Sequence, residues 1–460
     1  MHFRLLAAGL TAGMVSLAAP SAEAFCGFYV GKADTSLFNE ASQVVMVRDG
    51  ERTVLTMSND YKGELTDFAL VVPVPVVLER EQIHVGERKY IERVDAYSAP
   101  RLVEYFDPDP CFIMPPSVAV PRAAAGAPAD APSRARRESL GVTVEAEYTI
   151  GEYDIVLLSA KESSGLETWL RESGYKMPPR AAKALEPYIK QDMKFFVAKV
   201  NLKQQKATGF NYLRPLQMAY ESKKFMLPIR LGMANARGPQ DLVIYALTRT
   251  GRVESSNYRT VKVPSDMDIP VFVKGEFNKF YPALFERAHQ KEEKRALFTE
   301  YVWDMGWCDP CAADPLTPEE LKGLGVFWLD EGTPQPGRGR GRGMMGGGSQ
   351  TVLTRLHVRY DGEHFPEDLV FQVTNDRQNF QARYVLRHAF KGTPRCEPGR
   401  EHFVQEYLAQ LDKRHQKEAE TLAELTGWDL GTITQKMGDD APAKKPGKKE
   451  EDSWYRKLWK

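Results

Sequence analysis

Residues Trp307-Cys308-Asp309-Pro310-Cys311 have the types and spacing of a thiol–disulfide redox site. In such a site Cys308 is held as a thiolate at a helix N-terminus and attacks a substrate disulfide, and Cys311 resolves the mixed disulfide. The chemistry requires the motif at a strand-to-helix junction inside a βαβ unit. Here Leu284, Phe285, Ala288, Leu297, Phe298, Tyr301 and Val302 predict one long helix over 282–304 leading into the motif. The next helix start is Thr317-Pro318-Glu319-Glu320, with Thr as cap, Pro in the first helical position and Glu closing a capping box. That placement favours a structural role for the two cysteines. Redox catalysis by Cys308 and Cys311 stands as the alternative.

Other candidate chemistry is thinner. Glu286 and His289 stand three residues apart on the same expected helix, as a carboxylate-bridged metal site requires, but the other Glu-x-x-His of the chain, Glu81/His84, lies on no expected helix. Asp361/His364 and Asp412/His415 come nearest, so no metal and no cofactor is expected, and Glu286 and His289 read as a solvated helix face. Gly341-Arg342-Gly343-Met344-Met345-Gly346 fits a dinucleotide-binding pattern literally, yet no strand precedes it and no helix follows. The chain carries no H-E-x-x-H, no G-x-S-x-G and no Walker loop, and no catalytic residue is assigned. At the C-terminus Trp454, Tyr455, Leu458 and Trp459 share one helical face beside Arg456, Lys457 and Lys460, a combination suited to a partner groove or a membrane interface.

The N-terminus speaks to compartment. Met1–Ala24 has a weakly cationic start, an apolar stretch too short to span a bilayer, and Ala22-Glu23-Ala24 at the expected cleavage point. It reads as a signal peptide. Phe25 ahead of Cys26 does not suit lipidation, so the expected location is periplasmic or secreted. In an oxidising compartment Cys26, Cys111, Cys308, Cys311 and Cys396 are disulfide candidates. Their odd number allows at most two intrachain bridges and leaves fifteen patterns open. With 62 basic and 62 acidic residues the chain is neutral, which disfavours nucleic acid as a partner. No apolar run of about 18 residues follows the leader, so no transmembrane segment is expected in the mature chain.

Around these groups the pattern alternates between strands and helices. Gln43–Val47 and Thr53–Met57 flank Asp49-Gly50 and predict a tight hairpin. Further strands are expected at 68–74, 142–148, 153–158, 195–201, 225–231 and 241–248. Helices are expected from Ser164 to Gly174, over 180–190, and from about Glu401 to Leu425. The resulting division is a signal peptide at 1–24, a β-rich N-terminal domain at 25–114, an Ala/Pro/Arg linker at 115–138 and a central α+β domain at 139–333. A Gly/Arg low-complexity loop follows at 334–350, then a β-hairpin plus helix at 351–430 and a charged disordered tail at 431–460. The fold class is α+β: antiparallel β-rich domains with packed helices, stapled by disulfides.

Phe25-Cys26-Gly27-Phe28-Tyr29-Val30, Tyr61-Lys62-Gly63-Glu64 with Asp67-Phe68 and Pro73-Val74-Pro75, and Cys308-Asp309-Pro310-Cys311 ahead of Pro315-Leu316 resemble the bacterial exported domain-of-unknown-function 2330 family. The resemblance spans most of 25–430 and implies an exported bacterial protein, with no catalytic residues to carry over. The expected function is a non-catalytic binding or envelope-associated module whose partner is an envelope component or another protein.

Overall fold

The computed structural model describes residues 28–31, 38–39, 42–58, 61–62, 68–111, 143–161, 163–175, 181–209, 212–236, 238–309, 314–329 and 350–442. The signal peptide, the 115–138 linker, Cys26, Cys311, nearly all of the Gly/Arg loop and Trp454–Trp459 lie outside them.

In chain order, Phe28–Gly31 forms β1. The expected hairpin is present as β2 (Ser42–Asp49) and β3 (Arg52–Ser58). Asp49 pairs with Arg52, and Gly50 turns the chain at φ 58°, a conformation that costs a residue with a Cβ. β4 (Phe68–Val74) and β5 (Ile83–Val85) lead to α1 (Arg88–Ser98) and β6 (Arg101–Phe106). β7 (Thr143–Ile150) and β8 (Tyr153–Ser159) are followed by helices α2 (Ser163–Glu172) and α3 (Ala181–Lys190). Then come β9 (Lys194–Val200), β10 (Leu216–Glu221), β11 (Gln240–Thr248) and β12 (Arg259–Lys262).

The next stretch corrects the sequence reading. The helix expected over 282–304 is instead α4 (Phe277–Lys291) and strand β13 (Ala296–Asp304). Glu293 and Lys294 take left-handed φ values of 55° and 59° and end the helix. Residues 296–302 are buried on both sides, and such a strand shows no alternation that would separate it from a buried helix. β12, α4 and β13 thus form one βαβ crossover, with β12 and β13 parallel. α5 (Pro318–Gly323), β14 (Val352–Tyr360), β15 (Arg383–His388), α6 (His402–Thr426) and α7 (Leu430–Met437) complete the chain. α7 falls where a disordered tail was expected. Ile433 and Met437 are buried there, and Asp429 caps the helix.

Two sheets dominate. One of five strands runs β1-β4-β9-β8-β7. One of nine runs β12-β13-β14-β11-β2-β3-β10-β5, with Phe380–Gln381 also paired to β13. The nine-stranded sheet draws β2, β3 and β5 from the expected N-terminal domain, β10 to β13 from the central one and β14 from the C-terminal one. The three are therefore interleaved in one sheet. β14 pairs with β11 and β13, not with Leu369–Val373, so the C-terminal hairpin is absent. Nor are the sheets wholly antiparallel: β2/β11, β12/β13 and β15/β6 are parallel. The architecture is mixed α and β.

Alternation along the strands sorts residues into layers. Val44, Met46, Leu242, Ile244, Leu356 and Val358 of the large sheet meet Leu70, Val72, Ile155 and Phe196 of the small one in a shared core. Ala69, Val71, Phe195 and Val197 face the opposite way, onto Leu166 and Leu170 of α2 and Leu185 and Tyr188 of α3. The outer face of the large sheet carries two further clusters. One packs Val45, Tyr245 and Leu353 against Ile91 and Val94 of α1. The other packs Ala296 and Phe298 against Phe280 and Leu284 of α4 and Leu422 of α6. The polar site lies between them.

Candidate functional site

β14 reads Val-Leu-Thr-Arg-Leu-His-Val-Arg-Tyr, so its period-2 alternation places Arg355, His357 and Arg359 on the outer face. Across the sheet β11 sets Tyr245 opposite Arg355, Val243 opposite His357 and Asp241 opposite Arg359. On the other side the register of β13 shifts between Thr299 and Tyr301, leaving Glu300 as the extra residue of a β-bulge. The bulge re-aims Glu300 into the row of basic side chains. Every strand residue of the site is thereby placed by register.

Glu300 is 1% exposed and fully engaged. It accepts from Arg355 Nε at 2.6 Å, meets His357 Nδ1 at 2.8 Å, and accepts from the Tyr281 hydroxyl of α4. His357 Nε2 lies 3.2 Å from Asp241 Oδ1. Arg359 donates to both oxygens of Asp241, at 2.9 and 2.8 Å, and to Glu286 of α4 at 2.5 Å. Arg355 reaches the other way, to Asp95 of α1 at 2.6 Å, and Tyr245 donates to the same carboxylate oxygen. The imidazole of His357 stacks on the Phe285 ring of α4 at 3.8 Å, tilted by 14°. The seam thus ties α1 and α4 to the sheet between two apolar clusters.

Its electrostatics follow from that contact set. Burial pushes Glu300 up, but His357 and Arg355 outweigh it and hold the carboxyl down at about 2. Asp241, also penalised by burial, is held at about 2 by His357 and Arg359. Burial pulls His357 down, but Glu300 and Asp241 raise it to about 8, so the ring is an imidazolium at neutral pH. Both its nitrogens then donate, one to each carboxylate.

A model of the family described as an uncharacterised protein conserved in bacteria, DUF2330, matches residues 20–372. The chain belongs to the DUF2330 family. The match takes in β11, β13, β14, α1 and α4, hence every residue of the seam, and stops before β15, α6 and α7. It is shorter at the C-terminal end than the resemblance implied. No curated protein and no solved structure matches this DUF2330 chain.

The residues singled out in the sequence fare differently. Cys111 and Cys396 form a disulfide, tying the end of β6 to the segment between β15 and α6. Cys308 is an exposed free thiol. A strand, β13, leads into it rather than the expected helix. Neighbouring Asp309 is buried, accepting from Tyr301 and Gln381 at 2.9 and 2.8 Å. Glu286 and His289 do not form a solvated face. Glu286 joins the seam, and His289 is 4% exposed, its pKa lowered by burial and Arg359 to about 4. Among the described residues no group of three or more His, Cys, Asp or Glu side chains could hold a metal ion, and no helix is long and apolar enough to cross a membrane.

The seam went unread in the sequence. The available signal was Arg355-x-His357-x-Arg359, three bases at every second position of an otherwise apolar strand. Glu300 gave no signal, because its orientation comes from a bulge. Chemically the arrangement suits fastening: each polar atom of His357 and Glu300 is spent on a neighbour, and no Ser, Cys or Lys nucleophile is among them. Clefts of about 370 Å³ beside Trp428, Ile433 and Lys436, and about 240 Å³ beside Pro73, Tyr220 and Lys223, lie away from it.

Proposed function

We propose that this protein is an exported, periplasmic or secreted, non-catalytic binding module that engages an envelope component or partner protein. One observation carries the reading. β6 is an outer strand of its three-stranded sheet, and it ends in Tyr105 and Phe106, which are 45% and 72% exposed. Phe106 stacks on His388 at 4.4 Å and Arg387 lies over Tyr105 at 5.3 Å, so the pair forms a preformed aromatic surface at an outer strand, where a partner strand can add. The Cys111–Cys396 bridge fixes the chain five residues beyond Phe106, which suits a presented surface in an oxidising compartment.

A photo-crosslinking residue at position 106, expressed in the native bacterium, tests this. A single dominant adduct at 106, absent when the same residue is placed at exposed Val144 of β7, is the expected outcome. Equal labelling at both positions, or none at 106, rejects the reading. Recovery of the chain from an osmotic-shock fraction without Met1–Ala24 tests export separately.

The exposed thiol of Cys308 beside 60%-exposed Trp307 supports a second reading, thiol–disulfide exchange with Cys311. It requires a reduction potential above the roughly −300 mV of inert structural bridges. A lower potential, or unchanged insulin reduction by Cys308→Ser, ends it.

A further inference from the structure

We propose that the Asp241–His357–Glu300 arrangement is a proton-operated clasp that fastens α4 to the large sheet and releases it when His357 loses its proton. The geometry is specific. α4 touches the seam through Tyr281 on Glu300, Phe285 stacked on the imidazole, and Glu286 on Arg359. A protonated imidazole satisfies two carboxylates at once. A neutral one donates from a single nitrogen and turns a lone pair toward the other carboxylate.

Which contact gives way follows from burial. Glu300 is sealed in and also held by Arg355 and Tyr281, so the remaining proton stays on the Glu300 side. Asp241 has a side chain 26% exposed and can turn to water. Asp241 holds Arg359, and Arg359 holds Glu286 of α4, so the loss passes directly to the helix.

The charges facing His357 from each packed element point the same way. They are Glu300 of β13, Asp241 of β11, Arg355 and Arg359 of β14, Glu286 of α4 and, through Arg355, Asp95 of α1. Tyr281, Tyr245 and Tyr384 are phenols held well above their usual range by burial, and buried His289 is neutral above about pH 4. With His357 charged, three cations face four carboxylates. Without that proton two cations face four, of which Glu300 is sealed from water while the Asp241, Asp95 and Glu286 side chains reach it. The 14% exposure of the His357 side chain leaves water a way to take the proton.

The test is carried out on the full chain. The imidazole Cε1 resonance of His357 is followed by NMR between about pH 5.5 and 9.5. Over the same range hydrogen exchange of the 277–291 peptide is measured by mass spectrometry and corrected for intrinsic rates. The expected NMR midpoint is about 8, with α4 protection falling by about tenfold to thirtyfold between about pH 6.5 and 8, the factor corresponding to a rise from 6.5 to about 8. The β2–β3 hairpin should not change. In a Glu418→Gln background, which removes the α6 carboxyl also raised to about 8 in the cluster packed on α4, His357→Gln should show fast α4 exchange already at neutral pH, and no step. A midpoint below 7, flat α4 protection up to pH 9.5, or a step surviving in His357→Gln in that background overturns the clasp. If His357→Gln does not fold, the titration of the Glu418→Gln chain decides alone.

Discussion

Two glutamates of this protein are almost equally hidden, Glu300 in the seam at 1% exposure and Glu418 on α6 at 2%, yet they are pushed in opposite directions. Glu300 is held at about 2 and Glu418 is raised to about 8. Burial acts on both. Around Glu300 it is overcome by a cation on each side and a phenol. Around Glu418 it is opposed by Arg414, at 3.4 Å, whose guanidinium is also paired with Asp107 at 2.8 Å, and more weakly by Arg387. Asp268 and Asp440 then add like charge, and Glu418 Oε1 accepts no hydrogen bond. Depth does not decide the ionisation of a carboxyl; the number of donors aimed at it does.

The largest test of the contrast is Glu300→Ala. It leaves Arg355, 7% exposed, and His357 without their shared anion, and breaking a buried pair from one side costs about 3–5 kcal/mol. Urea unfolding at about pH 6 should show a loss of that size. A loss below about 1 kcal/mol at this buried site would mean the seam is already hydrated and does not fasten the helices.

Glu418→Gln should do the reverse. The folded chain holds the Glu418 proton up to about 8, whereas the unfolded carboxyl releases it near 4.5. Its contribution to stability is therefore complete below about 4.5 and is lost as pH rises through 8. Glutamine keeps the shape and removes the loss. We expect a gain of about 1–3 kcal/mol near pH 8 and almost none near pH 4. His357, raised from 6.5 to about 8, adds a second loss on the alkaline side: its stabilisation is complete below 6.5 and is lost as pH rises through 8. The slope that survives in Glu418→Gln belongs to it. Glu300 and Asp241 act at the other end: their stabilisation is present above 4.5 and 3.8 and lost as pH falls toward 2. An unchanged alkaline slope in Glu418→Gln would place the protons elsewhere.

The two regions were not equally legible in the sequence. Local chemistry was readable. Asp49-Gly50 announced the β2–β3 turn, Thr317-Pro318-Glu319-Glu320 announced α5, and the periodicity after Glu401 announced α6 to within a residue at each end. Non-local chemistry was not. β13 reads as helix in the sequence because a strand buried on both faces has no polar stripe. That error hid the βαβ crossover and, with it, the bulge that aims Glu300. The sharing of one sheet by the expected divisions is hidden from the sequence for a related reason. β2 and β11 are parallel neighbours about two hundred residues apart, and no local pattern records such a pairing. Glu418 looked like any surface glutamate of a long charged helix; only the packing of α6 over β15 and Asp268 removes its water.

The smallest prediction serves as the control for both glutamates. Thr317 Oγ1 accepts from the Glu320 amide at 3.2 Å, and Glu320 Oε2 accepts from the Thr317 amide at 2.7 Å, a reciprocal box at the start of α5. Thr317→Ala removes half of it and should cost about 1 kcal/mol. Glu320 keeps its ion pair with Arg93 of α1 at 3.2 Å, so no buried charge is stranded. The loss, measured by urea unfolding, should therefore be the same at about pH 6 and pH 8.5, where the Glu418 variant differs from itself most. A Thr317→Ala penalty that grows with pH would show that the alkaline slope is spread through the fold and not concentrated at His357 and Glu418.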